Sequence, residues 1–311
     1  MRTYLSRMRG LTMYASILPK PIDNRKLHVP SPQEKFFNRH VFIHTHVEKC
    51  GGSTLVRHLR TLLGDQHVFD ARSCKPVKTN KNTRYPELSK HLYDTRLLSG
   101  HLWYGTPLAK VFPKRKWSNS IIPLEIFPYF RKKPLYIASV RHPVDRLESF
   151  FRYLRTRPGH NAYNEGIKNN NFDQFIDILI SKNSPKIKNG ICSQLTRCHD
   201  SPNLLEKAKK SFDHNYLAVV PYNKTHELAN MLADVLQRPR VENRIVNPSA
   251  ENEKATPGKE TLAFLEKNCQ LDIQLYSYIL NNYQVKLIKA KQQLCHLIYK
   301  ERRSMECILS L

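Results

Sequence analysis

The sequence predicts an α/β protein of three layers, in which helices cover both faces of a central parallel sheet. The prediction rests on three segments where an apolar run ends in a tight turn and leads into apolar residues at helical spacing. Strands that alternate with helices are typical of a parallel sheet. The predicted strands and the helices that follow them are 40–46 with 53–63, 134–140 with 144–155, and 216–220 with 223–236.

Each predicted element has its own signal. The run 134–140 is almost continuously apolar, which indicates burial on both faces, and Pro143 stands where the next helix would begin. The helix over 223–236 carries its leucines, Met231 and Val235 on one side. Residues 260–302 form a long helical pattern, for which we expect a break near Asn281 and Asn282.

The length of 311 residues suits one large domain with short appendages. We expect an N-terminal arm over 1–38 without a transmembrane helix, a domain over 39–300 and a basic tail over 301–311. No apolar run approaches the roughly 18 residues of a membrane helix. The seven cysteines are spread along the chain without a CxxC pair, which favours a reducing compartment and no structural metal. The sequence therefore predicts a soluble, cytoplasmic protein, and a bacterial source would fit it.

Lysine and arginine number 51 against 26 acidic residues, which gives a net charge of +25. Such a charge predicts an anionic partner: nucleic acid, an acidic membrane surface, a phosphorylated cofactor, or a sulfated or uronic polysaccharide. Charge alone does not choose among them. A basic nucleic-acid-binding protein is one alternative, although the chain has no RNP, helix-turn-helix or zinc pattern.

The turn between the first strand and its helix carries the clearest chemical signal. There Lys49 precedes Gly51 and Gly52, and the hydroxyls of Ser53 and Thr54 follow at the start of the helix. Glycines let backbone N–H groups approach phosphate oxygens, and a helix N-terminus favours negative charge. The lysine stands before the glycines, so this is not the nucleotide motif GxxxxGK[ST]. A P-loop small-molecule kinase is a second alternative, for which the order of residues is wrong.

A second polar segment follows the strand over 134–140. Arg141 stands at the carboxyl end of that strand, and Ser149 lies about two turns into the next helix. Ligands of parallel α/β sheets bind at the carboxyl ends of the strands. The two segments are therefore expected to face one ligand.

Together, the Lys-x-Gly-Gly-Ser loop and the Arg-x-Pro-x-x-Arg-x-x-Ser segment over 141–149 resemble the 5′-phosphosulfate and 3′-phosphate loops of sulfotransferases. More narrowly, the chain is similar to carbohydrate sulfotransferases of the Golgi type. The pair Gly100-His101 resembles the Gly-His strand that carries the catalytic histidine in the uronyl 2-O branch of this family. Two weaker resemblances are those of 194–197 to a polar element between the family's later helices and of 247–254 to a late loop that closes over the cofactor. The chain departs from the family at Glu48, where proline is usual, at Ser99, where the 2-O branch often has a histidine, and in its missing membrane anchor.

The resemblance implies a P-loop-like sulfotransferase fold and transfer of a sulfuryl group from 3′-phosphoadenylyl sulfate to a hydroxyl of an anionic or neutral glycan, without a metal. Arg141 and Ser149 would clamp the 3′-phosphate. His101 would be the general base, with Glu48 as its rival if that carboxylate does not simply pair with Lys49. The implied ligands of the 5′-phosphosulfate are Lys49 and the N–H groups of Cys50, Gly51, Gly52, Ser53 and Thr54.

Some further residues are candidates with weaker signals. Cys50 stands at a helix N-terminus, which can depress a thiol pKa, but it is interpreted as a small loop residue. His44 and His46 face one side of the first strand, where they either pack or line the cleft. The candidates for contact with a sugar acceptor are Trp103, Tyr104, Tyr153, Tyr163, Arg152, Arg155 and Arg157.

Overall fold

The computed structural model of the protein describes residues 30–70, 77–79, 82–84, 94–100, 132–159, 170–198, 201–243 and 255–309. The chain divides into two compact units, Met1–Ser31 and Pro32–Leu311. The description below concerns the second unit. Within the described part of the chain, none of the helices combines the length and the apolar composition that a bilayer crossing requires.

A sheet of five strands forms the centre of this unit, in the order β2-β5-β1-β6-β7. All neighbouring pairs in it are parallel, so the predicted fold class is confirmed. The strands β3 and β4 form a separate antiparallel pair. The strands are β1 His40–Thr45, β2 Val68–Asp70, β3 Val77–Thr79, β4 Asn82–Arg84, β5 Leu97–Gly100, β6 Lys133–Val140 and β7 Tyr216–Pro221.

The described helices pack on both faces of the sheet and extend beyond it. They are α1 Pro32–Arg39, α2 Gly52–Leu63, α3 Pro143–Arg155, α4 Phe172–Ser181, α5 Gly190–Thr196, α6 Leu204–Lys210, α7 Thr225–Leu236, α8 Lys259–Asn268 and α9 Gln270–Leu309. Short helical turns lie at Asp65–His67, Pro185–Ile187, Ser211–Asn215 and Tyr222–Lys224. The three predicted strand–turn–helix units are thus present, with ends within about two residues of the predicted ones.

The apolar residues form two buried clusters. The larger cluster joins the sheet to α2, α7 and α9. The smaller cluster joins α3 to α4 and α8 through rings such as Phe150, Phe151 and Phe175, with Leu265 fully buried against them. Removal of such a ring typically costs about 3–5 kcal/mol, so α3 is held in place by a core of its own.

The long C-terminal helical pattern breaks at a different place from the one predicted. The break lies at Cys269, between α8 and α9, and the helix continues through Asn281 and Asn282. The side chain of Asn282 donates to the Tyr278 carbonyl at 2.8 Å, one turn back, and the next residue, Tyr283, is buried. The asparagine therefore bonds within the helix, and core packing outweighs its low helix propensity.

Residues 32–39, most of which fall within the expected arm, form α1. The rings of Phe36 and Phe37 are buried in the larger cluster. At the end of this helix, Arg39 pairs with Glu301 of α9 at 2.9 Å. The rest of the arm, 1–29, lies outside the described residues.

Candidate active site

The carboxyl edge of the sheet brings three turns together around Tyr222, the residue after β7. The Arg141 guanidinium, just after β6, lies 4.4 Å from the centre of the Tyr222 ring. On the loop after β1, a Cβ added to Gly51 would lie 3.1 Å from the Cβ and the carbonyl oxygen of Tyr222. The structure thus brings the two predicted ligand-binding segments to one place.

The backbone of the loop after β1 requires its glycines. Gly51 has a φ of 78°, and Lys49 also lies in the left-handed region with a φ of 62°. A Cβ on Gly52 would lie 2.3 Å from Nδ1 of His46, too close for any side chain. Gly51 is the N-cap of α2 and supplies no side-chain cap. The first N–H groups of a helix have no acceptor within it, so this end of α2 suits an anion.

The hydroxyls that open α2 differ in exposure. Ser53 is exposed and Thr54 is buried, with 6% of its surface accessible. Only the Ser53 side chain is therefore open to a ligand that approaches from solvent.

Lys49 lies among cations. Its Nζ is 4.0 Å from the centre of the Tyr153 ring on α3. Burial, together with the charges of Arg141, Arg152 and Arg157, lowers the pKa of Lys49 to about 8 against the opposing charge of Glu48. A concentration of positive charge of this kind favours the binding of a polyanion.

Arg141 has a donor that its surroundings leave unused. Its Nε is buried, and it has no hydrogen-bond partner among the described residues. An unpaired buried donor is costly, and a charged one more so. A phosphate oxygen would satisfy it, so Arg141 fits the contact with a 3′-phosphate that the family resemblance implies.

Helical spacing places Ser149 on the same face of α3 as Tyr153. It stands four residues before Tyr153, and residues at this spacing share one face of a helix. Because the Tyr153 ring contacts Lys49, Ser149 faces the same side of the site.

The three arginines of α3 and its end are not equivalent. Arg152 binds Glu148 through two contacts, of 2.5 and 2.7 Å, and both side chains are nearly buried. Arg152 therefore contributes charge but does not reach out to an acceptor. Arg155 lies 5.6 Å from the Phe151 ring and Arg157 lies 5.8 Å from the Tyr153 ring, and both residues are exposed.

Glu48 pairs with Lys186 rather than with Lys49. Lys186 lies on the turn Pro185–Ile187, 138 residues further along the chain. Sequence reasoning missed this residue, because no local pattern marks a contact over such a separation.

The loop is also fixed from α5. The side chain of Gln194 donates from Nε2 to the His46 carbonyl at 2.9 Å. His44 is bonded through Nδ1 to the Ser99 hydroxyl at 2.9 Å, and the rings of His44 and His46 lie 5.3 Å apart. Both histidines are buried, so they pack between strand and helix and do not line an open cleft.

Cys50 is a packing residue. It is fully buried, and burial raises the pKa of its thiol to about 12. The helix N-terminus therefore does not activate this cysteine.

The predicted base, His101, lies outside the described residues, as do Trp103, Tyr104, Tyr163 and the segment 247–254. The preceding residue, Gly100, ends β5 at the carboxyl edge. Its carbonyl accepts a hydrogen bond of 2.9 Å from the N–H of His46 at the start of the loop. In the parts of the chain that the structure describes, no group of three His, Cys, Asp or Glu residues could hold a metal ion.

A parallel sheet with a glycine loop, a lysine and an arginine at its carboxyl edge is typical of proteins that bind a phosphorylated ligand there. The family model described as the sulfotransferase family matches residues 34–284, which include all of these elements. The chain therefore belongs to the sulfotransferase family and is an enzyme that transfers a sulfuryl group. This confirms the broader resemblance and decides against the kinase and nucleic-acid-binding alternatives. A search of curated proteins found no match.

Proposed function

We propose that the enzyme transfers a sulfuryl group from 3′-phosphoadenylyl sulfate to a hydroxyl of a carbohydrate acceptor. The observation that carries the proposal is the meeting of Lys49, Arg141 and a glycine-capped helix N-terminus at one edge of the sheet. One region then offers backbone donors for a 5′-phosphosulfate and a guanidinium for a separate phosphate.

In this proposal the residues of the loop hold the donor. Lys49 and the N–H groups from Gly51 to Thr54 bind the 5′-phosphosulfate, whereas the N–H of Cys50, one of the implied ligands, already donates to the Val47 carbonyl at 3.3 Å. Arg141 with Ser149 binds the 3′-phosphate. The donor, when bound, supplies a sulfuryl group attached to a phosphate that leaves readily. Lys49 stabilises the negative charge that develops on the bridging oxygen during transfer.

The transfer forms a bond between the acceptor oxygen and sulfur and breaks the bond between sulfur and the bridging oxygen, whose electron pair stays with the departing nucleotide. The acceptor proton goes to His101, whose ordinary pKa suits a base near neutral pH. Glu48 is the alternative base. Its carboxylate is already paired with Lys186, which favours His101 for this role.

The acceptor in this proposal is a glycan, either anionic or neutral. The net charge of +25 favours an acid sugar, and Arg155 and Arg157 are exposed at the end of α3, with Arg157 beside the ring of Tyr153. Aromatic rings next to guanidinium groups suit a sugar that carries carboxylate or sulfate.

A comparison of nucleotides by thermal shift tests the donor. Adenosine 3′,5′-bisphosphate should stabilise the enzyme by about 2.7 kcal/mol at 100 times its dissociation constant. ATP and adenosine 5′-monophosphate should stabilise it much less, because neither carries a phosphate for Arg141. Equal shifts from all three nucleotides would count against the proposed donor.

A further inference from the structure

Lys186 is remote from the glycine loop in sequence, yet its ammonium group binds the carboxylate of Glu48, the residue before Lys49. The two side chains are partly exposed, at 33% and 24%. An exposed ion pair of this kind contributes little to stability, typically about 0–1 kcal/mol. Its position beside Lys49 therefore calls for an explanation other than stability.

The placement of Lys186 is fixed by α3. The guanidinium of Arg146 donates to the Lys186 carbonyl at 2.6 Å, and the Lys186 Nζ lies 4.4 Å from the centre of the Phe150 ring. The next residue, Ile187, is 2% exposed in the smaller apolar cluster. Lys186 is thus anchored to the helix that also carries Ser149, one of the proposed 3′-phosphate ligands.

Lys49 has one acidic neighbour among the charged groups that shift its pKa. That neighbour is Glu48, whereas Arg141, Arg152 and Arg157 are cations. Arg152 is already paired with Glu148, and Arg141 lies on Tyr222. If Lys186 were replaced by a neutral residue, Glu48 could instead pair with the ammonium group of Lys49, the adjacent residue on the same loop.

We propose that Lys186 is a positioning residue that holds Glu48 away from Lys49, so that Lys49 remains available to the anionic group of the donor. The inference rests on the proposed function for the role of Lys49. A carboxylate paired with Lys49 would compete with the phosphosulfate and would offset the charge that stabilises the transition state.

The first test follows the protonation of Lys49 without any ligand. The rate of acylation of Lys49, measured by mass spectrometry over a range of pH, has an expected midpoint near 8 in the wild type. In Lys186→Gln the midpoint should move up, because an unpaired Glu48 favours the ammonium form. In the double variant Lys186→Gln/Glu48→Gln it should return to the wild-type value or below.

The second test measures transfer of labelled sulfate by the same variants. Lys186→Gln should lower the turnover about tenfold, which corresponds to about 1.4 kcal/mol, and the double variant should recover most of that loss. The matched control is Lys188→Gln, which removes the same charge from a lysine bound only to Asn183 in the described structure and should behave as wild type. Circular dichroism checks that each variant is folded.

Two results would overturn the proposal. An unchanged acylation midpoint in Lys186→Gln would show that Glu48 does not turn to Lys49. A loss of turnover that Glu48→Gln fails to rescue, although Glu48→Gln alone keeps near-wild-type turnover, would show that Lys186 contacts the ligand directly. If the wild type transfers no sulfate at all, the proposed function fails, whereas the acylation profiles still decide whether Lys186 controls Glu48.

Discussion

Two lysines at opposite edges of the sheet share the same shift in pKa but differ in their surroundings. Lys49 follows β1 at the carboxyl edge, and Lys132 precedes β6 at the amino edge. Burial is the first cause at both positions, and it lowers each pKa to about 8. The pKa alone would therefore mark both lysines as candidates for function.

Their surroundings separate them. Lys132 donates to the Thr95 carbonyl at 3.2 Å, and Asp94 favours its charged form. Lys49 instead lies against an aromatic ring, beside arginines, on a loop with left-handed backbone. A lowered lysine pKa therefore indicates burial, whereas several cations beside a helix N-terminus indicate an anionic ligand.

The largest expected effect concerns His101, which directly follows the carboxyl end of β5. His101→Ala should lower sulfuryl transfer by about 10²- to 10⁴-fold, the usual cost of losing a general base. Glu48→Gln should be the milder change. The measurement is transfer of labelled sulfate to a panel of uronic-acid and hexosamine glycans.

Binding of adenosine 3′,5′-bisphosphate is the control for this pair, because it should stay near wild type in His101→Ala. Near-full activity in His101→Ala together with an inactive Glu48→Gln would identify Glu48 as the base. The carboxyl edge would then supply the base from the loop after β1.

The second prediction compares the turnover of variants at Lys49 and Lys132. Lys49→Ala should lower turnover by about 10²- to 10³-fold, as for the loss of one group that stabilises developing charge. Its affinity for the nucleotide should fall less, because the effect is largest in the transition state. Lys132→Met, which keeps most of the buried side chain, should leave turnover unchanged. Similar losses of turnover in the two variants would contradict the conclusion that Lys49 acts in catalysis and Lys132 does not.

Arg141→Ala should act mainly on binding. Loss of a charged hydrogen-bond donor costs about 1.5–3 kcal/mol, so affinity for adenosine 3′,5′-bisphosphate should fall about 10- to 100-fold with a smaller change in turnover. Isothermal titration calorimetry measures the affinity. The matched control is Arg57→Ala, an equal loss of charge at an exposed position of α2. Unchanged affinity in Arg141→Ala would remove this residue from the site.

The sequence predicted those features that depend on neighbouring residues. Alternation and helical spacing identified the strand–turn–helix units, and Gly51 and Gly52 stand at the turn because local geometry requires them there. The contact of Tyr222 with Arg141 and the bond from Gln194 to the loop were not predicted. Such contacts join distant parts of the chain, and only the folded sheet brings them together.

The smallest expected effect concerns the stability of the fold and Lys132. The native pKa of Lys132 is about 8 against an ordinary value of 10.5. Between these values the unfolded chain binds more protons at this site, so the free energy of unfolding rises with pH, by at most about 1.4 kcal/mol per pH unit. Below pH 8 the site is protonated in both states and the contribution is constant.

Lys132→Met lacks this titration, whereas Lys49 and every other group titrate in both proteins and largely cancel from the difference. The stability of the wild type relative to Lys132→Met should therefore increase from pH 8 to pH 10, as measured by urea unfolding at several pH values. Parallel curves for the two proteins would mean that the pKa of Lys132 is not lowered. Of these two lysines, Lys49 alone would then have a lowered pKa, and the lowered pKa would distinguish the active-site lysine from the buried lysine at the amino edge.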